Sequence, residues 1–271
     1  MKQVMSVGLI GSLFACTEAT SPAHRLQNPS LRMAVGAAAS EAVLPSGYAG
    51  IMGSIAQNFP HASFRPMRYQ QVFLGSDVVH PVIVGLCLRQ DDEVAAFARE
   101  KTLTIKLGPT TLDHTNLTTS FDGNYSALPT EVFTGTVTVP AAPAGGTPAD
   151  FDFCIPFTQQ YDHPAGSNVI VEVVNTSTDL NSSPRDACNS SEEACTTALA
   201  WAVSPTATTA AFSAREGLIM KFVSPAPPAP VDPVSEDECK KGGWSNFQFR
   251  NQGQCIRFIE TGFDSRASTE N

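Results

Sequence analysis

Between positions 64 and 222 the apolar residues come in short runs rich in β-branched and aromatic side chains, each closed off by Gly, Pro, Asn or Asp. These residue types favour a pleated, half-buried surface, and the punctuation leaves little room for helices. The runs are residues 68–73 (RYQQVF), 81–89 (PVIVGLCLR), 103–107 (LTIKL), 132–139 (VFTGTVTV), 151–157 (FDFCIPF), 169–174 (VIVEVV) and 217–222 (GLIMKF). Several alternate with period two. Leu103, Ile105 and Leu107 oppose Thr104 and Lys106, while Phe151, Phe153, Ile155 and Phe157 oppose Asp152 and Cys154. One face of each run is buried and the other turned outward, the pattern of two packed antiparallel sheets. The expected fold is all-β: an antiparallel, jelly-roll-like β-sandwich over residues 64–223. Residues 92–101 (DEVAAFAREK) have helical composition between strand-like runs and are expected to form a long loop or one helical turn.

The N-terminus carries Lys2, an apolar stretch over residues 4–14 and the small Ala15 before Cys16. This is the layout of an export signal, too short to span a bilayer. Leu13-Phe14-Ala15-Cys16 resembles the bacterial lipobox, whose Cys is diacylated and becomes the new N-terminus; Phe14 is bulkier than the residue usual there. The resemblance implies a signal peptide over 1–15, a lipid anchor on Cys16 and a tether with an unassigned N-terminal segment over 16–63. An ordinary signal cut near Ala19 is the competing reading. Thr17 after the lipidated Cys fits sorting to an outer membrane.

Six further cysteines remain, an even set that in an exported chain points to disulfides. Fifteen connectivities are possible. Locality favours Cys188–Cys195 around a polar turn and Cys239–Cys255 around a C-terminal module, leaving Cys87 and Cys154 as two outward-facing strand cysteines. The sequence has no C-x-x-C and no closely spaced His/Cys set, so no metal site is expected. With 17 Lys+Arg against 26 Asp+Glu, a net charge of −9 and a pI near 5.0, the chain lacks the clustered positive charge that nucleic acid or a polybasic membrane contact needs.

Residues 224–236 read as a Pro-rich linker, 237–262 as a Cys-closed module and 263–271 as a polar tail. In the module, Gly242 and Gly243 permit a tight turn. Trp244, Phe247, Phe249, Ile256 and Phe258 are available for a small core, with Trp244 expected to plug it and the Phe247/Phe249 alternation expected to form a hairpin. Lys240, Lys241, Arg250 and Arg257 make it locally basic. With Trp244, the first three form a candidate recognition patch for a polysaccharide or acidic surface polymer; a hairpin that caps the sandwich is the competing reading.

The chain holds no G-x-S-x-G, H-E-x-x-H, P-loop or EF-hand pattern. Gly47, Gly50 and Gly53 lack the frame of a phosphate loop and read as turns. His80 and His163 each precede Pro at loop-like positions, and Asp162 fits a turn before a strand. Asp91, Asp92, Glu93, Asp113 and Asp122 are loop carboxylates of a kind that can hold structural calcium, although solvated turns account for them more simply. No cofactor is expected.

The order of blocks Arg68-Tyr69-Gln70-Gln71-Val72, Leu88-Arg89, Pro109-Thr110-Thr111, Phe133-Thr134-Gly135, Phe151-Asp152 and Tyr161-Asp162 through Val173 resembles secreted bacterial β-sandwich proteins, many of which bear PEP-CTERM sorting tails. The sorting helix and terminal Arg cluster of those proteins are missing here, and Cys16 would anchor the chain instead. The segment 238–258 (ECKKGGWSNFQFRNQGQCIRF) resembles a short C-terminal module of bacterial secreted proteins. Neither resemblance implies an activity. The expectation is a cell-envelope lipoprotein with a non-catalytic binding or structural role and a polysaccharide as ligand class. The alternative is a secreted carbohydrate-active hydrolase whose carboxylates sit in loops.

Overall fold

A computed structural model describes residues 41–58, 60, 65–91, 98–141, 148–178, 184–225 and 232–266. The strands are β1 (Glu41–Leu44), β2 (Ile55–Gln57), β3 (Met67–Phe73), β4 (Val82–Leu88), β5 (Arg99–Thr110), β6 (Thr130–Val139), β7 (Phe153–Asp162), β8 (Asn168–Asn175), β9 (Arg185–Asn189), β10 (Ala198–Ala202), β11 (Phe212–Ala214), β12 (Glu216–Leu218) and β13 (Met220–Val223). They form a four-stranded sheet, β1-β13-β4-β7, a six-stranded sheet, β11-β10-β3-β8-β5-β6, and a small sheet, β12-β9-β2. Every pairing is antiparallel. Because consecutive strands mostly change sheet, the chain winds back and forth across the core, as in a jelly roll.

Alternation sets the packing. Leu103, Ile105 and Leu107 of β5 and Val169, Val171 and Val173 of β8 face Leu86 and Leu88 of β4 and Phe153 and Ile155 of β7 in one continuous core. Cys87 lies directly opposite Cys154 in the β4–β7 register, and the two are bonded with Cα atoms 4.0 Å apart. Cys154 is exposed as expected. Cys87 is instead buried, because the outer side of this sheet carries further structure of its own. A second cluster there gathers Tyr48, Ile219 and the Cys188–Cys195 disulfide.

Several elements differ from the sequence expectation. Residues 217–222 form two strands, not one: Ile219 breaks the run, sending β12 to the small sheet and β13 to the four-stranded one. Residues 99–101 of the presumed loop or helical turn open β5, with Lys101 fully buried; 92–97 lie outside the described residues. The unassigned segment before residue 64 contributes β1 and β2. Gly53 sits where an added Cβ would come 2.0 Å from the Ala187 carbonyl oxygen, so its role is close approach to β9. The signal peptide, Cys16 and the tether up to residue 40 lie outside the described residues, as do 226–231 of the Pro-rich stretch.

The C-terminal module is helical, which corrects the hairpin expectation. It comprises α1 (Glu236–Cys239), a 3-10 turn over Gly243–Phe247 and α2 (Gln252–Thr261), closed by Cys239–Cys255. The Asn251 side chain caps α2 by accepting from the Gln254 amide at 2.9 Å, and Gly262 ends it at φ 70°. Phe249, not Trp244, is the buried centre; Trp244 is half-buried and packs against it from the side. Arg266 closes the module from outside. It pairs with Asp232 (2.6 Å) and Asp264 (2.7 Å) and lies over the rings of Phe249 and Phe258.

Candidate functional site

The outer face of the six-stranded sheet is not bare. The 111–129 connection between β5 and β6 folds back over it, setting Leu117 and Tyr125 on Val72, Ile170 and Ala198, and Phe121 among the alanines of β10. Asn124, buried, donates to Gln70 Oε1 at 2.9 Å and accepts from the amide and hydroxyl of Thr118, which fixes the loop to the sheet. Gly108 makes room for it: an added Cβ would stand 2.6 Å from the Tyr125 ring. The loop stops short of covering the whole face, and a pocket of about 400 Å³ remains, lined by Arg68, Lys106, Asp122, Tyr125, Leu128 and Glu172 among others. This is within the size range of small-ligand sites.

Glu172 lies at the pocket floor, 1% exposed on β8. Its Oε2 accepts from Arg68 Nε (3.1 Å), Arg68 Nη2 (2.8 Å) and Gln70 Nε2 (2.7 Å). Arg68 also donates to Asp122 (2.7 Å) and the Ala207 carbonyl (2.9 Å) and stacks over Phe121. Burial works against the guanidinium charge, but Glu172 and Asp122 outweigh it and hold the Arg68 pKa above its ordinary value. Lys106 Nζ stands 3.9 Å from Glu172 Oε1. The Tyr125 hydroxyl is buried and makes no hydrogen bond of normal geometry with a described residue. Burial, then the charge of Glu172, pushes its phenol well above the usual tyrosine range.

A second polar centre is structural. Arg89 Nε meets Asp186 at 2.7 Å with both side chains buried, Arg89 Nη2 donates to the Ile51 carbonyl, and Gly53 N donates to Asp186 at 2.9 Å. The pair staples the 51–53 loop to β4 and β9.

The residues singled out from sequence are scattered. Lys240 is paired with Asp237 at 2.7 Å, and Lys241 and Arg250 are exposed. Within 237–262 four basic side chains stand against three acidic ones, and the flanking Asp232, Glu236 and Asp264 offset that excess. Asp113 accepts from the amide and hydroxyl of Thr115, and its carboxyl is held low by them. Asp122 is the Arg68 partner; Asp92 and Glu93 lie outside the described residues. Among the described residues no three His, Cys, Asp or Glu are grouped to hold a metal ion. His163 is buried and its pKa lowered by that burial. The Pro164–Ser167 turn after it closes through Ser167 N to the Pro164 carbonyl.

Sequence reasoning missed Glu172, Lys106 and Tyr125 as one site, since Lys106 reads as the outward position of an alternating strand and no spacing links it to the other two. It also missed an aromatic pair at the sheet edge, Trp201 and Phe212 on β10 and β11, whose centroids lie 5.6 Å apart and of which Phe212 is exposed. Comparison of the chain with protein-family models, curated proteins and solved structures found no match.

Proposed function

We propose that the protein is a bacterial cell-envelope lipoprotein, anchored through Cys16, whose β-sandwich binds carbohydrate without transforming it. The observation that carries the reading is the pocket beside Glu172, where the charged side chains of Lys106 and Asp122 meet the Tyr125 side chain and a rim of Leu128 and Pro129. Sugars present such a mixture, with hydroxyls on their edges and C–H groups on their faces. The three disulfides fit an oxidising compartment outside the cytoplasm. The order of strand blocks shared with secreted PEP-CTERM-type sandwiches agrees with that address.

A hydrolase would need two carboxylates flanking open space for the scissile bond. Asp122 and Glu172 are close together, but both bind the same guanidinium nitrogen of Arg68, which occupies the position between them. This favours binding over hydrolysis. The test is an array of bacterial and plant glycans probed with the full chain, alongside a reducing-sugar assay on the polysaccharides it retains. Retention without release of reducing ends is the expected result. A silent array would refute the reading, and steady release of reducing ends would replace it with the hydrolase.

A further inference from the structure

We infer that the pocket selects uncharged saccharides carrying a vicinal diol, with Lys106 and Glu172 Oε1 as the pair that reads it; the inference rests on the carbohydrate-binding reading above. It follows from which hydrogen-bonding groups are already committed. Arg68 uses Nε, Nη1 and Nη2 on Glu172, Ala207 and Asp122, so it is a strut under the site and not a ligand group. Glu172 Oε2 is filled by three donors. Oε1 and Lys106 Nζ, in contrast, stand 3.9 Å apart, too far for a hydrogen bond with each other. A hydroxyl oxygen can lie within hydrogen-bond distance of both, donating to the carboxylate and accepting from the ammonium. A neighbouring hydroxyl can accept from a second N–H of Lys106.

Charge disfavours acidic sugars. The lining holds two cations, Arg68 and Lys106, and two anions, Asp122 and Glu172, so the pocket is balanced before any ligand arrives. With Arg68 already engaged, an incoming uronate or sialate carboxylate would meet Asp122, 77% exposed at the entrance, as well as the Glu172 charge. An uncharged sugar avoids this repulsion. Its apolar face would cover Leu128, which stands 94% exposed on the rim, an unusual state for a leucine lining a concave site.

The experiment pairs neutral oligosaccharides with uronate counterparts of the same linkage, titrated against the full chain and against Lys106→Met, Leu128→Asp and Trp201→Ala. The expected result is at least a tenfold preference for the neutral member. Lys106→Met and Leu128→Asp should each lose about tenfold in affinity while melting within about 2 °C of the parent. Equal or tighter binding of uronates overturns the inference while leaving carbohydrate binding intact. So does unchanged affinity in Lys106→Met, or loss confined to Trp201→Ala, which would move the site to the sheet edge. Failure of every glycan to bind refutes the underlying reading instead.

Discussion

Asp186→Ala should destabilise the sandwich by about 4 kcal/mol, because it strands a buried cation. Arg89 and Asp186 are 1% and 0% exposed and meet at 2.7 Å. Removing one member of such a pair costs roughly 3–5 kcal/mol, since the survivor stays desolvated and unpaired. The Gly53 amide also loses its acceptor, at a point where its backbone is pressed against β9, which adds about 1 kcal/mol. Arg89 keeps the Ile51 carbonyl and the Phe151 ring, and these partly offset the loss. At about 2–4 °C per kcal/mol for a chain of this size, the melting temperature should fall by roughly 10–15 °C. Calorimetry on the parent, Asp186→Ala, Arg89→Met and the Arg89→Met/Asp186→Leu double variant checks this. The double variant should recover most of the loss, since replacing both charges leaves nothing unpaired. A fall below about 3 °C in Asp186→Ala, or a double variant no better than the singles, refutes the reasoning. The pH dependence gives a second reading. Burial pushes the Asp186 carboxyl up to about 6 from 3.8, despite the opposing pull of Arg89. The native state then holds this proton more tightly than the unfolded chain. The contribution from this group is therefore full below pH 3.8 and lost as pH rises through 6. Asp186→Asn should flatten that slope in melts run between these limits.

Phe249→Ala should unfold the C-terminal module, exposing 232–266 to protease, and leave the sandwich transition unchanged; Trp244→Ala, at a half-buried position, should leave the helices intact by far-ultraviolet circular dichroism. Opening Cys239–Cys255 by Cys239→Ser should cost the module about 3 kcal/mol, again read by limited proteolysis with the sandwich as internal control. Mass spectrometry of the membrane fraction should find lipid on Cys16 and no residues 1–15, and a free terminus downstream of Cys16 would overturn the anchor.

Legibility in the sequence followed how strands were covered. β5 and β7 each leave one face polar, and their alternation was plain. β3 and β10 are buried on both faces, because the 111–129 loop covers the outer side of their sheet. Their letters, Gln70, Gln71 and a run of alanines, therefore carry no period. β9 (RDACN) was invisible for another reason: its Arg185 and Asp186 look like loop residues, and only burial against Asp152 and Arg89 makes them strand residues. In the module the period-two spacing of Phe247 and Phe249 outweighed a better helical signal, with Asn251 before Cys255, Ile256, Phe258 and Ile259, and Gly262 after them. The candidate site was not legible because its floor comes from β3, β5 and β8 and its wall from a loop about fifty residues earlier than Glu172, and no local spacing joins them.

The Arg266–Asp232 contact has a consequence for how this chain can be taken apart and reassembled. Two side chains that flank the module's helices, Asp232 before α1 and Arg266 after α2, meet at 2.6 Å. A unit whose two ends meet behaves like a cassette: it can be spliced into the loop of an unrelated host without forcing the host strands apart. Residues 232–266 carry their own covalent clasp in Cys239–Cys255, so the graft would bring its fastening with it.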